Sequence, residues 1–498
     1  MTRPFQFITE VAHLGFLRPT PFDPKALPQK EPDFMSPHFG TSGVRGLVTG
    51  LTGDVINSYV RAFIASCPTG GAVHVGRDLR PSSPAIARDV IDAVRHAGLT
   101  AFDHGDILTP GLALASMGAG HSAIMVTGSH IPADRNGLKF YTPNGEISKS
   151  DEQAILAALN TSFPDAPLGP LQTESSANAA YVARYLDGFG AMALTGLRIG
   201  IYEHSSVARD ILGEIMRALG AETITLARSD VFIPVDTEAV DPNTRSQLAI
   251  WIKTHGLDAI VSTDGDGDRP MVTAADGSVI AGDVLGPLTA SFLGADTLVT
   301  PVSSNSNVDH MAQFTSVQRT RIGSPFVIAT MEQQLAKSPT IRIAGYEANG
   351  GFLVGFAALG PAGAIAPLMT RDSVLPMIAP LAAAVAQGVP LAQLIATLPD
   401  HFTATDRAQN IPTQRSAAFI ASLTSDKSAR TAFFEGVGVE QNINRTDGLR
   451  VTFDCGAIVH LRPSGNAPEC RCYVEARSKD RANTLLDIHL VKLVTALT

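Results

Sequence analysis

The sequence predicts an α/β protein, with three tandem, similar α/β domains built on mixed sheets and a smaller C-terminal α+β domain. Three observations carry that prediction. A strand–loop–helix–strand pattern recurs near residues 72–102, 197–226 and from 297 onward. Alternation of this kind covers both faces of a sheet with helices and leaves ligand loops at the strand C-terminal ends. After about residue 400 the texture changes to short strands followed by one helix. At 498 residues the chain is too long for one core. The domains are expected at 1–187, 188–294, 295–400 and 401–498.

Residues 1 to about 38 are rich in proline and read as an irregular surface extension. Phe39–Gly46 packs three glycines into eight residues, which marks a sharp turn or a close approach to a ligand, with Arg45 as a fixed cation. Ala72–Gly76 is a strand and Arg77–Ser82 a loop. Ser83-Pro84 opens a helix on which Ile86, Val90 and Val94 align. Leu99–Phe102 resumes a strand. The second unit reads as strand 197–202, loop 203–206, helix 208–219 and strand 223–226, with Gly220 closing the helix. The third unit runs from strand 297–300 through a polar loop, Val302–Asn307, into a segment after Val308. Beyond 400, strands are expected at 449–453, 457–461 and 471–476, with a helix from Arg481.

The composition is that of an ordinary globular protein, 45% hydrophobic and 17% charged. A net charge of −9 argues against a nucleic-acid partner. No apolar run approaches the roughly 20 residues that cross a membrane, and no signal segment is evident, so a cytoplasmic enzyme is expected. Cys67, Cys455, Cys470 and Cys472 match no zinc spacing and read as reduced core thiols.

Four stretches carry chemistry. Val126–Pro132 follows the apolar run Ala123–Val126; Gly128 permits a tight turn, and Pro132 keeps His130 and Ile131 extended, so Ser129 stands on a stiff loop. A serine hydroxyl transfers groups only with a base, a metal or a bound phosphoryl group beside it. Asp264-Gly-Asp266-Gly-Asp268-Arg269 follows a strand. In extended backbone its three carboxylates face one side, a conflict that a hard divalent cation resolves. The calcium-loop reading fails, because Arg269 stands where the turn glycine belongs. An octahedral Mg²⁺ site, open to a phosphate oxygen, is expected. Glu347 and Asn349 in Gly345–Gly351 are two apart, a plausible reader of sugar hydroxyls or a plain surface turn. Arg462, Ser464, Gly465, Asn466 and Arg471 make a sensible cradle for a dianion.

Together these loops resemble the α-D-phosphohexomutase family, in family order from residue 39 to 472. The resemblance rests on Phe39–Gly46, Thr127–Pro132, Asn136–Lys139, Asp264–Arg269, Glu347–Gly351 and Arg462–Arg471. It implies a heart-shaped molecule around a central cleft. It also implies a phosphorylated Ser129 in the active enzyme, and Mg²⁺ held by Asp264, Asp266, Asp268 and a phosphoserine oxygen. A hexose 1,6-bisphosphate would be the intermediate and activator, and hexose phosphates the partners of a monomer or homodimer. Arg45 and Arg269 would neutralise charge, with His130 beside the serine. Lys139 or Arg321 would handle the hydroxyl proton, and Lys139 is favoured because arginine hardly ever deprotonates. Glu347 and Asn349 would grip the ring, and the 462–471 cradle either phosphate. Three departures stand out: Ile131 for asparagine, Asn349 for serine, and Gly351 where many bifunctional members carry histidine. Mannose phosphate interconversion leads, with phosphoglucomutase or phosphoglucosamine mutase as alternatives. A non-catalytic sugar-phosphate binder and a metal-dependent phosphatase lie outside the class.

Overall fold

The protein is represented by a computed structural model that describes residues 37–40, 43–159, 161, 166–464 and 468–497. Most of the proline-rich N-terminal stretch, together with Gly465 and Asn466, lies outside the described residues. Four large sheets follow one another along the chain.

The first three share one plan. In the first, parallel strands Ala72–Arg77, Thr100–Asp106 and Ser122–Val126 adjoin Arg135–Thr142, which runs antiparallel to Ser122–Val126. In the second, Arg198–His204, Glu222–Arg228 and Ala259–Thr263 are parallel, and Pro270–Ala274 turns back against the last of them. In the third, Thr297–Pro301, Ser316–Thr320 and Ile343–Tyr346 are parallel and Phe352–Val354 turns back. The three loops singled out by their chemistry therefore occupy one topological corner. Each joins the last parallel strand to its antiparallel neighbour, at 127–134, 264–269 and 347–351.

Local signals explain most elements. The helix Ser83–His96 carries Pro84 in its first turn, where a missing N–H costs nothing, and buries Ile86, Val90 and Val94. The helix Arg209–Ala218 buries Ile211, Ile215 and Met216 under the second sheet, and Gly220 follows at φ +96°. The third unit departs from expectation. No helix follows Val308 directly; Ser306–His310 forms a single 3₁₀ turn, a strand intervenes, and the helix is Ser324–Lys337. The run Ser304-Asn305-Ser306-Asn307 explains this, because such side chains bind nearby backbone in turns: Asn305 accepts from the N–H of Asn307 at 2.8 Å.

One apolar cluster, including Leu112, Tyr185, Ile215, Leu285 and Leu381, is continuous across the first three units. The fourth, an antiparallel sheet of Phe402–Gln409, Glu469–Ala476, Ile458–Pro463, Leu449–Phe453 and Glu440–Asn444, has a core of its own. Polar contacts join it to the third: Ser306 donates to Glu475 from its N–H at 2.9 Å and its hydroxyl at 2.6 Å. Among the cysteines, Cys67, Cys470 and Cys472 are buried thiols, but Cys455 is exposed, which corrects the core reading for that residue. No helix among the described residues is long and apolar enough to cross a membrane.

Burial also fixes an acid response. His74, His204 and His460 are almost fully buried, and burial holds each down to about 4. Unfolded, they would take a proton near pH 6.5. Below that pH the unfolded chain binds protons that the folded one refuses, so their stabilisation, present above about 6.5, is lost as pH falls towards 4. Asp283, pushed up to about 7 by burial, takes a proton over the same range and works the other way, so the histidines' share is read by comparison. Between pH 7.5 and pH 5 the urea midpoint of a His460→Gln variant should change less downward than the wild type's, and an equal change in both would contradict the burial of that ring.

Candidate active site

Ser129 sits in a turn with φ +54°, a left-handed conformation that a non-glycine residue adopts only when its surroundings hold it there. The extended reading of His130 and Ile131 is thus corrected: the N–H of Ile131 bonds to the Gly128 carbonyl at 3.2 Å and closes a turn. Gly128 is not the residue at positive φ. Its hydrogen admits Arg80, whose guanidinium carbon would lie 2.7 Å from a Cβ there. Arg80 is 1% exposed and organises the loop. Its Nη2 donates to the carbonyls of Ser129 (2.8 Å) and Ile131 (2.6 Å), and its Nη1 to those of Pro132 (2.7 Å) and Arg135 (3.0 Å). Asp78 backs Arg80 at 3.2 Å and accepts from Ser83 and Thr127.

The loop is pressed against the acidic turn. The Ser129 hydroxyl donates to Asp264 Oδ2 at 2.6 Å and lies 3.3 Å from His130 Nδ1. A Cβ on Gly265 would stand 2.8 Å from the Ser129 carbonyl oxygen, so glycine there lets the two loops touch. Asp264, Asp266 and Asp268 do converge, with one oxygen from each inside 4.8 Å of the others and all three residues fully buried. The cause differs from the expected alternation along extended backbone. The chain curls around Asp264, whose Oδ1 accepts the N–H groups of Asp268 and Arg269 at 3.2 Å each, and Gly267 turns at φ +76°.

The charges explain why such a cluster is tolerated. Burial and the carboxylates of Asp266 and Asp268 push Asp264 well up. Burial would raise Asp268 too, but Arg371, Lys139 and Arg269 hold it below the ordinary carboxylate range. Lys139 Nζ donates to Asp266 Oδ2 and Asp268 Oδ2, both at 2.6 Å. Asp266 Oδ1 and Asp268 Oδ1 are buried with no hydrogen-bond partner. Three converging carboxylates with two unbonded oxygens suit a hard divalent cation.

Arg45 lies within Coulomb reach of this centre. Burial, Arg269 and Arg371 bring its guanidinium down to about 10. Burial, with Arg269 and Arg45, keeps the His130 ring well below its usual range. Arg269 follows the third aspartate, its Nε 4.0 Å from Asp264 and 3.9 Å from Asp268. Glu347 and Asn349 lie in a turn closed by the Gly350 N–H to the Glu347 carbonyl at 2.9 Å, not in extended chain. Asn349 Oδ1 braces this turn by accepting from the N–H of Gly351 at 3.0 Å. Arg321 is exposed, 5.9 Å from the Phe326 ring centre.

In the fourth sheet Arg462 and Arg471 are cross-strand partners. Asp447 accepts from Arg462 at 2.9 Å and Glu469 from Arg471 at 2.9 Å; Ser464 is buried beside them. Among the described residues, no hydrogen bond or ion pair joins Arg321, Arg462 or Arg471 to the acidic loop. If this cradle holds a phosphate, Arg462→Ala is expected to raise the KM of both 1- and 6-phosphates, by about 2 kcal/mol or more of lost charge-assisted bonding. Unchanged Michaelis constants would remove Arg462 from the site.

Three contributors escaped the sequence analysis besides Arg80. Thr109, at the start of the helix Thr109–Gly118, donates its hydroxyl to Asp266 Oδ2 at 2.6 Å. Arg371 pairs with Asp268 at 2.9 Å, and Glu146 lies 3.6 Å from Arg371. A clue existed only for Arg80, an arginine in a loop that leaves the C-terminal end of a parallel strand.

A hydroxyl, an acidic loop suited to a divalent cation and a ring of guanidinium groups at the meeting of three repeated α/β units define a multidomain phosphotransfer enzyme. Comparison with known proteins is specific. Models of the phosphoglucomutase/phosphomannomutase α/β/α domains I, II and III match residues 36–164, 179–277 and 279–402, and that of the C-terminal domain matches 410–488. A phosphomannomutase of Sinorhizobium fredii is 44% identical over 91% of this chain and 98% of its own. One of Salmonella muenchen is 41% identical over 92% and 96%. A crystal structure of a family protein from Burkholderia thailandensis superposes with a TM-score of 0.73 at 22% identity, covering 92% of this chain and 97% of the other. The chain belongs to the phosphoglucomutase/phosphomannomutase family and is a phosphohexomutase.

Proposed function

We propose that the protein interconverts mannose 6-phosphate and mannose 1-phosphate through a phosphorylated Ser129 and a hexose 1,6-bisphosphate. The observation that carries this reading is the 2.6 Å bond from the Ser129 hydroxyl to Asp264 across two separate units. The two relatives at 44% and 41% identity, both phosphomannomutases, support mannose as the sugar.

Asp264, Asp266 and Asp268 would hold Mg²⁺, which, when bound, supplies positive charge beside the oxygens of the transferring phosphoryl group. The rest falls to the chain. In the forward half-reaction, the bond between the phosphoryl group and Ser129 Oγ breaks as the sugar hydroxyl oxygen bonds to phosphorus. One proton must leave the sugar hydroxyl and one must reach Ser129 Oγ as it departs. Lys139 is the candidate for both, its ammonium giving a proton to Ser129 Oγ and recovering one from the hydroxyl, so that it ends as it began. The bisphosphate then turns over and returns its other phosphoryl group to Ser129 Oγ. Arg45 and Arg269 offset charge at the reacting phosphate, Glu347 accepts from ring hydroxyls, and the Arg462–Arg471 loop holds the distal phosphate in either orientation. Two-way binding of this kind explains why the phosphate cradle stands on a sheet with its own core.

Intact-mass measurement after incubation with glucose 1,6-bisphosphate tests the reading. About 80 Da should be gained on Ser129 and discharged by mannose 6-phosphate. A protein that gains nothing is a binder, and one that loses the label to water without forming sugar product is a phosphatase. Rates on mannose, glucose and glucosamine 1-phosphates then rank the sugars, and a slower rate on mannose would replace the assignment.

A further inference from the structure

We infer that Arg371 is a positioning residue that sets Glu347 against the metal-binding loop, and that residue 351 is glycine in order to admit it. This rests on the proposed reading of Glu347 as the group that meets the sugar.

Arg371, on the strand Leu368–Asp372, is 3% exposed and spans three units. Its Nη2 pairs with Asp268 Oδ2 at 2.9 Å, its Nε faces Glu146 Oε1 at 3.6 Å and its Nη1 faces Glu347 Oε2 at 3.6 Å. One planar guanidinium therefore fixes the distance between an acidic-loop carboxylate and the sugar-loop carboxylate, which its rigid fork suits. The grip on Glu347 is incomplete: Oε2 has the ion pair but no hydrogen-bond partner. The carboxylate is held in place while that buried oxygen keeps its accepting capacity for a donor such as a ring hydroxyl. Burial pushes Glu347 up, and Arg371 is the largest influence opposing that push.

Gly351 completes the device. A Cβ there would lie 2.7, 2.8 and 3.0 Å from Cγ, Cδ and Cβ of Arg371. These are the root of the side chain, pinned by its own strand, so the arginine cannot yield by swinging its tip. Residue 351 and Arg371 fill one volume, and any side chain at 351 must displace the guanidinium from Glu347.

Steady-state kinetics and binding on Arg371→Ala, Arg371→Lys, Gly351→Ala and Glu347→Gln test this. Arg371→Ala should raise the KM for mannose 1-phosphate at least about tenfold, the scale of one lost charge-assisted contact. Arg371→Lys should recover part of the loss, and Gly351→Ala should reproduce it with the arginine still present. Adding Arg371→Ala to Glu347→Gln should cost less than Arg371→Ala costs the wild type, since part of that loss passes through Glu347 and the rest through Asp268 and Glu146. Multiplying losses, or a wild-type KM in Gly351→Ala, overturns the inference even if Arg371→Ala fails to fold. A wild-type protein that turns over no hexose phosphate instead overturns the proposed function.

Discussion

Ser129→Ala is expected to end mutase turnover, by on the order of 10⁴-fold or more, while hexose phosphate still binds. The expectation is sharp because two carboxylates of the acidic loop each receive a buried hydroxyl. Ser129 donates to Asp264 and Thr109 to Asp266, both at 2.6 Å. Thr109 opens a helix, and its N–H is also tied to the Asp266 carbonyl at 2.9 Å, so it braces the acidic loop. Ser129 lies on a turn whose left-handed backbone is imposed from outside, as expected for a group presented to a reaction. Thr109→Val should therefore retain phosphorylation at Ser129 and most of the turnover. Label appearing on Thr109 in the Ser129→Ala variant, or turnover surviving there, would transfer the nucleophile and undo the assignment.

What could be read in the sequence was whatever chemistry lay in consecutive residues. Asp264, Asp266 and Asp268 announce a cation site because three carboxylates in five positions have few other uses, and the structure gathers them although the backbone curls where alternation had been expected. Ser129 was legible through its glycine and proline neighbours, but the reason for Gly128 was not, because Arg80 reaches it from 48 positions away. Thr109, Glu146 and Arg371 were illegible for the same reason: each is a single residue whose partners lie on other units. The repeated plan was visible as recurring periodicity until the third copy, where asparagine and serine bind their own backbone and the helix moves beyond a strand. Gly351 was noticed as a missing side chain; only packing shows that an arginine occupies its space.

Arg80→Ala is expected to be the most damaging substitution outside the reacting groups. The guanidinium is buried, donates to four carbonyls of the segment 129–135, pairs with Asp78 and stacks 4.1 Å from the Phe232 ring centre of the second unit. Its removal leaves a buried carboxylate without its cation and four carbonyls without a donor, which should cost about 3–5 kcal/mol of stability. A loss in that range lowers the melting temperature by several degrees or more. The functional effect should exceed the thermal one. With nothing to hold the carbonyls of Ser129 and Ile131 together, the strained turn has no reason to persist, and phosphorylation of Ser129 by glucose 1,6-bisphosphate should fail even well below the new melting point. Arg80→Lys should not rescue it, because one ammonium cannot reach the carbonyls that the two Nη groups divide between them. A folded Arg80→Ala protein that still takes up phosphate on Ser129 at the wild-type rate would show that the turn holds itself, and that the arginine only fills space.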